Sequence, residues 1–408
     1  MSGDCVAISC WKPNLFLTKA KGSKIWLNSR PYLDFACGPG AANIGWNHPE
    51  VKKTLKRVLD NNETGWGGNM ILNKYQEALA LELCRITPGK YSKRVFFSNS
   101  GGEAVEAAIL ACIKRRRERR GIVSFTGDFH GRLGLSRTAT TSRSMHFEGM
   151  PQAMERFFPL IFPSENPETS AIKAFMDNFS TVKGYMGYVE NQIGPFVNEI
   201  NFALLELIQG EGGINVAKKE ILQALAAYLK VNKILIIADE VQTGLGRTGR
   251  MWASELYEIE PDIIVTAKGL SGGGLEAIGA TIMPEELSYQ EFGEHCNTFG
   301  ARPQSCAVGL KVLEILQREN LAQQAEEKGE FLRTRLRGIA NISGRGLMNR
   351  ITLGTPEMRQ RMIIEAGKRG LYLTAAGWRS VRLMPPLTIT YSELKEAVEI
   401  LKETLRRV

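Results

Sequence analysis

Short β-branched and aromatic runs alternate with amphipathic stretches through the middle of the chain. RVFFS (94–98) precedes GEAVEAAILACIKRR, where small and apolar residues recur at helical spacing, and IVSFT (122–126) follows. FALLEL (202–207), the helical KEILQALAAYLK (219–230), KILIIAD (233–239) and DIIVTAK (262–268) continue the alternation. Strands alternating with helices imply βαβ units, and so an α/β fold with a mostly parallel central sheet covered by helices on both faces. The pattern then changes. Residues 303–339 read as one long helical stretch, followed by strand-like GLMNRITL, the helical MRQRMIIEAGKRG, strand-like SVRLMPPLTI and a closing amphipathic helix. That predicts a smaller α+β domain over 301–408, a large domain over 51–300, and an N-terminal segment, 1–50, packing beside the small domain.

Composition narrows the function classes. With 408 residues and 43% hydrophobic content the chain can bury a large core. No apolar run approaches the roughly 18 residues of a membrane helix, and the first ten residues carry no basic-then-apolar leader, so a cytoplasmic protein without a membrane partner is expected. Seven scattered cysteines with no C-x-x-C pair argue against a disulfide framework, and four histidines without ligand spacing against a metal site. The net charge is +9, and KRRRERR (114–120) is its densest part. That stretch ends a predicted helix, where basic residues suit the dipole, and no aromatics interleave with it. Anionic small molecules are therefore expected as partners rather than nucleic acid.

Ligands of open parallel sheets bind beyond the carboxyl ends of the strands. Polar groups gather there: Ser98–Glu103 after RVFFS, Asp128–Arg132 after IVSFT, and Glu206, Asp239 and Lys268 at three further strand ends. Asp239 leaves an apolar strand and so needs a cationic partner. A pyridinium nitrogen would serve, with Lys268 as a Schiff-base lysine, the arrangement that holds pyridoxal phosphate. SNSGGEAVEAA offers that phosphate a helix start with two glycines; its plainer reading is an N-cap, Ser100 with Glu103 in a capping box, and the two uses are compatible. GLGRTG (244–249) matches G-x-G-x-x-G, yet D-E-V-Q-T separates it from its strand and no acid closes the following strand. It is read as a flexible turn framing the site, not a dinucleotide loop.

SNSGGEAVEAA, FHGR, E-x-x-Q-G-E-G-G, ADEVQTGLGRTG, TAKGLSGGG, NTFG and VRLMPPLTI together resemble the class III aminotransferases, fold-type-I pyridoxal-phosphate enzymes that include 4-aminobutyrate, ornithine and acetylornithine aminotransferases. The resemblance runs from about residue 32 to the last helix. It implies pyridoxal 5'-phosphate as cofactor, Lys268 as the lysine that binds it and shuttles the proton, and Asp239 as the acid on the ring nitrogen. It further implies Gln242 on the phenolic oxygen, Gly101 and Gly102 at the phosphate, and Phe129 on the ring face. Thr298 would reach the phosphate of the partner subunit in a homodimer with shared sites. For substrate it implies Arg382 at the α-carboxylate of glutamate or 2-oxoglutarate, Glu211 pairing with Arg382 when an ω-amine is bound, and Arg132 at a distal carboxylate. His130 is expected to have a structural role.

The implied activity moves an amino group from an ω-amino acid to 2-oxoglutarate in two half-reactions. The core motifs equally serve a racemase, epimerase or aminomutase on the same scaffold. Departures from the family pattern include Arg302, Arg379 and Glu276, and the extra cations open two alternatives, a substrate with two carboxylates or a shift in which arginine does the clamping.

Overall fold

The computed structural model describes residues 15–149 and 154–408. Its centre is a seven-stranded sheet in the order Lys93–Ser98, Gly279–Pro284, Ile263–Thr266, Leu235–Asp239, Ile200–Leu205, Gly121–Phe125, Arg156–Leu160. Gly279–Pro284 runs antiparallel to both neighbours, and the pairs among the other strands are parallel. The five strands whose ends carry the candidate residues therefore share one sheet and one rim. Register sharpens this: Asp239 lies opposite Val265, and Ala238 opposite Leu205. Glu206, Asp239 and Lys268 consequently leave neighbouring strand ends.

Leu235–Asp239 and Ile200–Leu205 are buried throughout, which is why they read as continuous apolar runs rather than alternating ones. The helix Gly101–Arg115 covers the sheet with a face of small residues, Ala104, Ala107, Ala108 and Ala111, which permits close approach. At its start the fit is tightest. A Cβ on Gly279 would lie 2.3 Å from the Ser100 carbonyl oxygen, so glycine is required for the loop to sit against the strand.

Two strands of the central sheet went unread in the sequence, Arg156–Leu160 and Gly279–Pro284; the first is at the sheet edge with partly exposed residues, the second begins at a glycine and ends at a proline. The helical stretch over 303–339 is two helices, Pro303–Arg318 and Leu321–Leu336, broken where Asn320 takes φ 49°. The basic run also divides. Its helix stops at Arg115, and Arg119 turns inward, donating to the carbonyls of Val197, Ile200, Asn232 and Lys233.

The C-terminal part forms an antiparallel sheet in the order Asn341–Arg345, Met348–Thr352, Ser380–Leu383, Thr374–Ala376, flanked by helices that include Pro356–Lys368 and Tyr391–Leu405. Near the N-terminus, Arg30–Asp34 pairs in parallel with Leu371–Tyr372. Buried Asp34 then accepts hydrogen bonds from the Ala36 and Cys37 amides and from Trp46 Nε1, turning the chain inward toward Pro39 and Gly40. GLGRTG proves to be a buried strut rather than a flexible turn. Arg247 is fully buried and donates to the carbonyls of Leu347 and Pro385 and to Asn43 Oδ1, tying three stretches of chain together. No helix among the described residues is long and apolar enough to cross a membrane.

Candidate active site

At the sheet's carboxyl rim lies a cavity of about 580 Å³, a size ordinary for a small-molecule site. Gly101, Gly102, Phe129, Arg132, Glu211, Asp239, Gln242, Lys268 and Arg382 all line it. The sequence-predicted residues therefore converge, with one exception: Thr298 is exposed and lies outside this cavity.

Lys268 follows the last residues of its strand and opens a short turn, Lys268–Ser271. Burial and the nearby Arg382 guanidinium lower its pKa, against the opposing pull of Asp239, Glu206 and Glu211. Uncharged amine is the form that attacks a carbonyl, so this environment suits a nucleophilic lysine.

Asp239 already has a cationic partner in the protein. His130 Nδ1 lies 2.8 Å from Asp239 Oδ2, and its Nε2 lies 3.3 Å from both Asp128 Oδ2 and Ser124 Oγ. Burial disfavours the imidazolium, but the two carboxylates outweigh it and raise the His130 pKa to about 10. His130 is thus a charged partner that orients Asp239, a larger part than the structural one expected. Asp239 Oδ1 also accepts from the Val241 amide at 3.1 Å. Glu206 sits beside this chain, accepting from the Phe129 and Gly210 amides, and burial together with Asp128 and Asp239 pushes its pKa up to about 8.

The helix start at Gly101 is capped, though not by a full capping box. Ser100 Oγ accepts from the Glu103 amide at 3.2 Å, while the Glu103 carboxylate reaches past Ser100 to the Asn99 amide at 3.0 Å. The Gly101 and Gly102 amides, at the first two helix positions, have no acceptor within the helix, and both glycines line the cavity, an arrangement suited to an anion seat.

Substrate-sized charge lies opposite. Arg382, on a fully buried strand, donates from Nη2 to Glu211 Oε2 at 3.0 Å, and its Nε is buried without a partner. Glu211 is shared: Arg143 Nη2 lies 2.7 Å from Oε1 of the same carboxylate. Arg143 was not singled out from sequence, because it stands in a polar loop with no motif around it. The Arg132 guanidinium lies over the Phe129 ring, 5.2 Å from its centroid.

The comparisons with known proteins agree with this geometry. The family description "Aminotransferase class-III" matches residues 7–405. The chain belongs to the class III aminotransferases. It is 34% identical to the acetylornithine aminotransferase of Bacillus subtilis, covering 95% of this chain and 94% of that one. A probable 4-aminobutyrate aminotransferase of the same organism is 30% identical, over 95% of this chain and 92% of the relative. The ornithine aminotransferase of Toxoplasma gondii superposes with a TM-score of 0.86 at 25% identity, covering 99% of this chain and 93% of that chain.

Within this class III aminotransferase, the departures from the family pattern resolve into internal contacts. Arg302 pairs with Glu276 at 3.0 Å, and Ser305 donates to the same carboxylate oxygen at 2.8 Å. Two departures thus satisfy each other, and the Arg302 charge is spent inside the protein. Arg379 donates to the Gly354 carbonyl and lies outside the cavity. Neither Arg302 nor Arg379 lines the cavity; the additional cation beside it is Arg143.

Proposed function

We propose that this aminotransferase takes its amino group from an ω-amino acid and delivers it to 2-oxoglutarate, with Glu211 and Arg382 alternating between the two substrates. Pyridoxal 5'-phosphate is the cofactor of the class, and a structure of the Toxoplasma gondii ornithine aminotransferase has it at partial occupancy in the active site. The cavity fits that group. A Cβ on Gly101 would lie 2.8 Å from Val241 Cγ1, so glycine lets the helix start sit close against Val241 at the cavity wall, and Gln242 Oε1 is buried without a partner inside the same cavity. When bound, the cofactor supplies an electron sink for a carbanion at the amine-bearing carbon.

The chain's own residues do the rest. The first-turn amides of Gly101 and Gly102 would hold the phosphate, and Asp239, steadied by His130, would pair with the protonated ring nitrogen. Phe129 would pack on the ring, and Lys268 Nζ would hold the cofactor and serve as the base that moves the substrate proton. Arg382 takes a substrate α-carboxylate bidentately once Glu211 withdraws. With Glu211 in place its charge is masked, which suits an amine end that carries no carboxylate. Arg132 receives the distal carboxylate. Thr298 and the exposed Trp66, Met70, Ile71, Leu72 and Phe299 belong to a homodimer interface, with Thr298 completing the partner's phosphate seat; all five are apolar and 44–69% exposed.

The observation that carries the reading is the Glu211–Arg382 pair inside the lysine cavity. Single amines added to the cofactor-loaded protein test it. Visible absorbance lost with 4-aminobutyrate, ornithine or acetylornithine, and restored by 2-oxoglutarate, is the expected result. Absorbance that survives every amine while an L-amino acid becomes racemic would instead assign an isomerase.

A further inference from the structure

Glu211 is held from two sides, and the two arginines differ. Arg382 is 2% exposed and rests on the small-domain sheet, whereas the Arg143 side chain is 37% exposed and belongs to the large domain. The Arg143 loop is anchored: the Thr141 and Ser142 amides both donate to the Asp128 carbonyl, at 2.9 and 3.1 Å, and the His146 amide donates to the Arg143 carbonyl at 3.0 Å. Asp128 is the residue that also touches His130, so the loop is fixed to the floor of the active site. The backbone at Glu211 is pinned as well, its carbonyl accepting from the Gly377 amide at 2.9 Å. Between these anchors the Glu211 side chain, 26% exposed, pairs with both guanidinium groups, one at each carboxylate oxygen.

Two guanidinium groups share one carboxylate, and a second carboxylate would complete the set. A half-buried glutamate driven off Arg382 with nowhere to go would be costly, because an ionised group loses its partner in a poorly hydrated place. With Arg143 already 2.7 Å away, displacement removes one of its pairings and leaves the other.

We propose that Arg143 is the second seat of Glu211, the residue that holds this carboxylate when a substrate carboxylate claims Arg382, and that it thereby sets the affinity for the keto-acid acceptor selectively. Arg143 is a positioning residue: it acts through Glu211 and does not touch substrate. The inference rests on the proposed alternation of Glu211 and Arg382. It has a directional consequence. Without Arg143, Glu211 binds Arg382 more firmly, so the acceptor is penalised while the ω-amino donor, which is served by the masked arginine, is not.

The test separates the half-reactions of the cofactor-loaded enzyme. Arg143→Gln is expected to raise the KM for 2-oxoglutarate roughly three- to fivefold, the upper scale of one partly exposed ion pair, with kcat and the donor KM within about 1.5-fold. Arg143→Lys should recover most of the loss. In a Glu211→Gln background, where there is no carboxylate to seat, Arg143→Gln should change nothing. An acceptor KM unmoved by Arg143→Gln overturns the proposal. So does a penalty that persists in the Glu211→Gln background or falls equally on the donor, since Arg143 would then be contacting substrate itself. If the wild type uses a different keto acid, the substrate reading fails, and the same comparison with that acid reads the seat.

Discussion

His130 shows how a single side chain changes meaning once its neighbours are placed. In sequence it is one letter of FHGR; in the fold it bridges the carboxylates of Asp128 and Asp239 without any exposure of its own. Its folded pKa of about 10 lies above the ordinary value of roughly 6.5. The stability it contributes is therefore fully present below the unfolded value and is lost as pH rises through the folded one. His130→Asn should lower the urea midpoint most near pH 6, and the difference from wild type should shrink by pH 10. A penalty that grows with pH would contradict the imidazolium bridge. The residues carried by motif, Lys268, Asp239, Glu211 and Arg382, were legible because each stands at a strand end or in a distinctive run. Arg143 was not, because a salt bridge across 68 positions of chain leaves no local signature.

At the scale of elements, the decisive piece is the start of the helix Gly101–Arg115. Two adjacent glycines look equivalent in SNSGGE, but they are not. A Cβ at Gly101 meets Val241 at 2.8 Å, whereas one at Gly102 meets only the end of Leu133, at 3.3 Å, and Leu133 is exposed. Gly101→Ala should weaken cofactor binding about tenfold or more through overpacking, and Gly102→Ala by less than about threefold; reconstitution of the cofactor-free protein measures both. Equal losses would mean that the N–H groups, not the space, set the affinity. Most core elements could be read from periodicity, since buried parallel strands are apolar throughout. Gly279–Pro284 could not. It begins at a glycine demanded by the Ser100 carbonyl and ends at a proline, two residues that ordinarily mark loops.

At the scale of the whole molecule, exposed apolar residues gather beside Thr298. A Cβ on Gly68 would lie 3.1 Å from the Thr298 carbonyl, and Asn69 donates to the Phe97 carbonyl at 2.8 Å. The Trp66–Leu72 stretch is thus tied to the strand that leads into the phosphate seat. The proposed sharing of sites between two subunits predicts complementation. Lys268→Ala and Thr298→Asp subunits, each nearly inactive alone, should regain about a quarter of wild-type activity when dissociated and remixed in equal amounts, because half the dimers are mixed and each has one intact site. No recovery, with mixed dimers shown to form, would place Thr298 in its own subunit's function or none.

The sequence by itself determined the α/β architecture, the strand ends that carry chemistry and the family, because apolar periodicity and motif spacing are local properties of the chain. Tertiary structure alone decided which charges meet. It gave His130 to Asp239, spent Arg302 on Glu276 and placed Arg143 on Glu211. It also turned GLGRTG into a buried strut through Arg247. Each of these depends on atoms brought within about 3 Å by packing; hydrogen bonds form only at that range, and ion-pair attraction weakens as the separation grows.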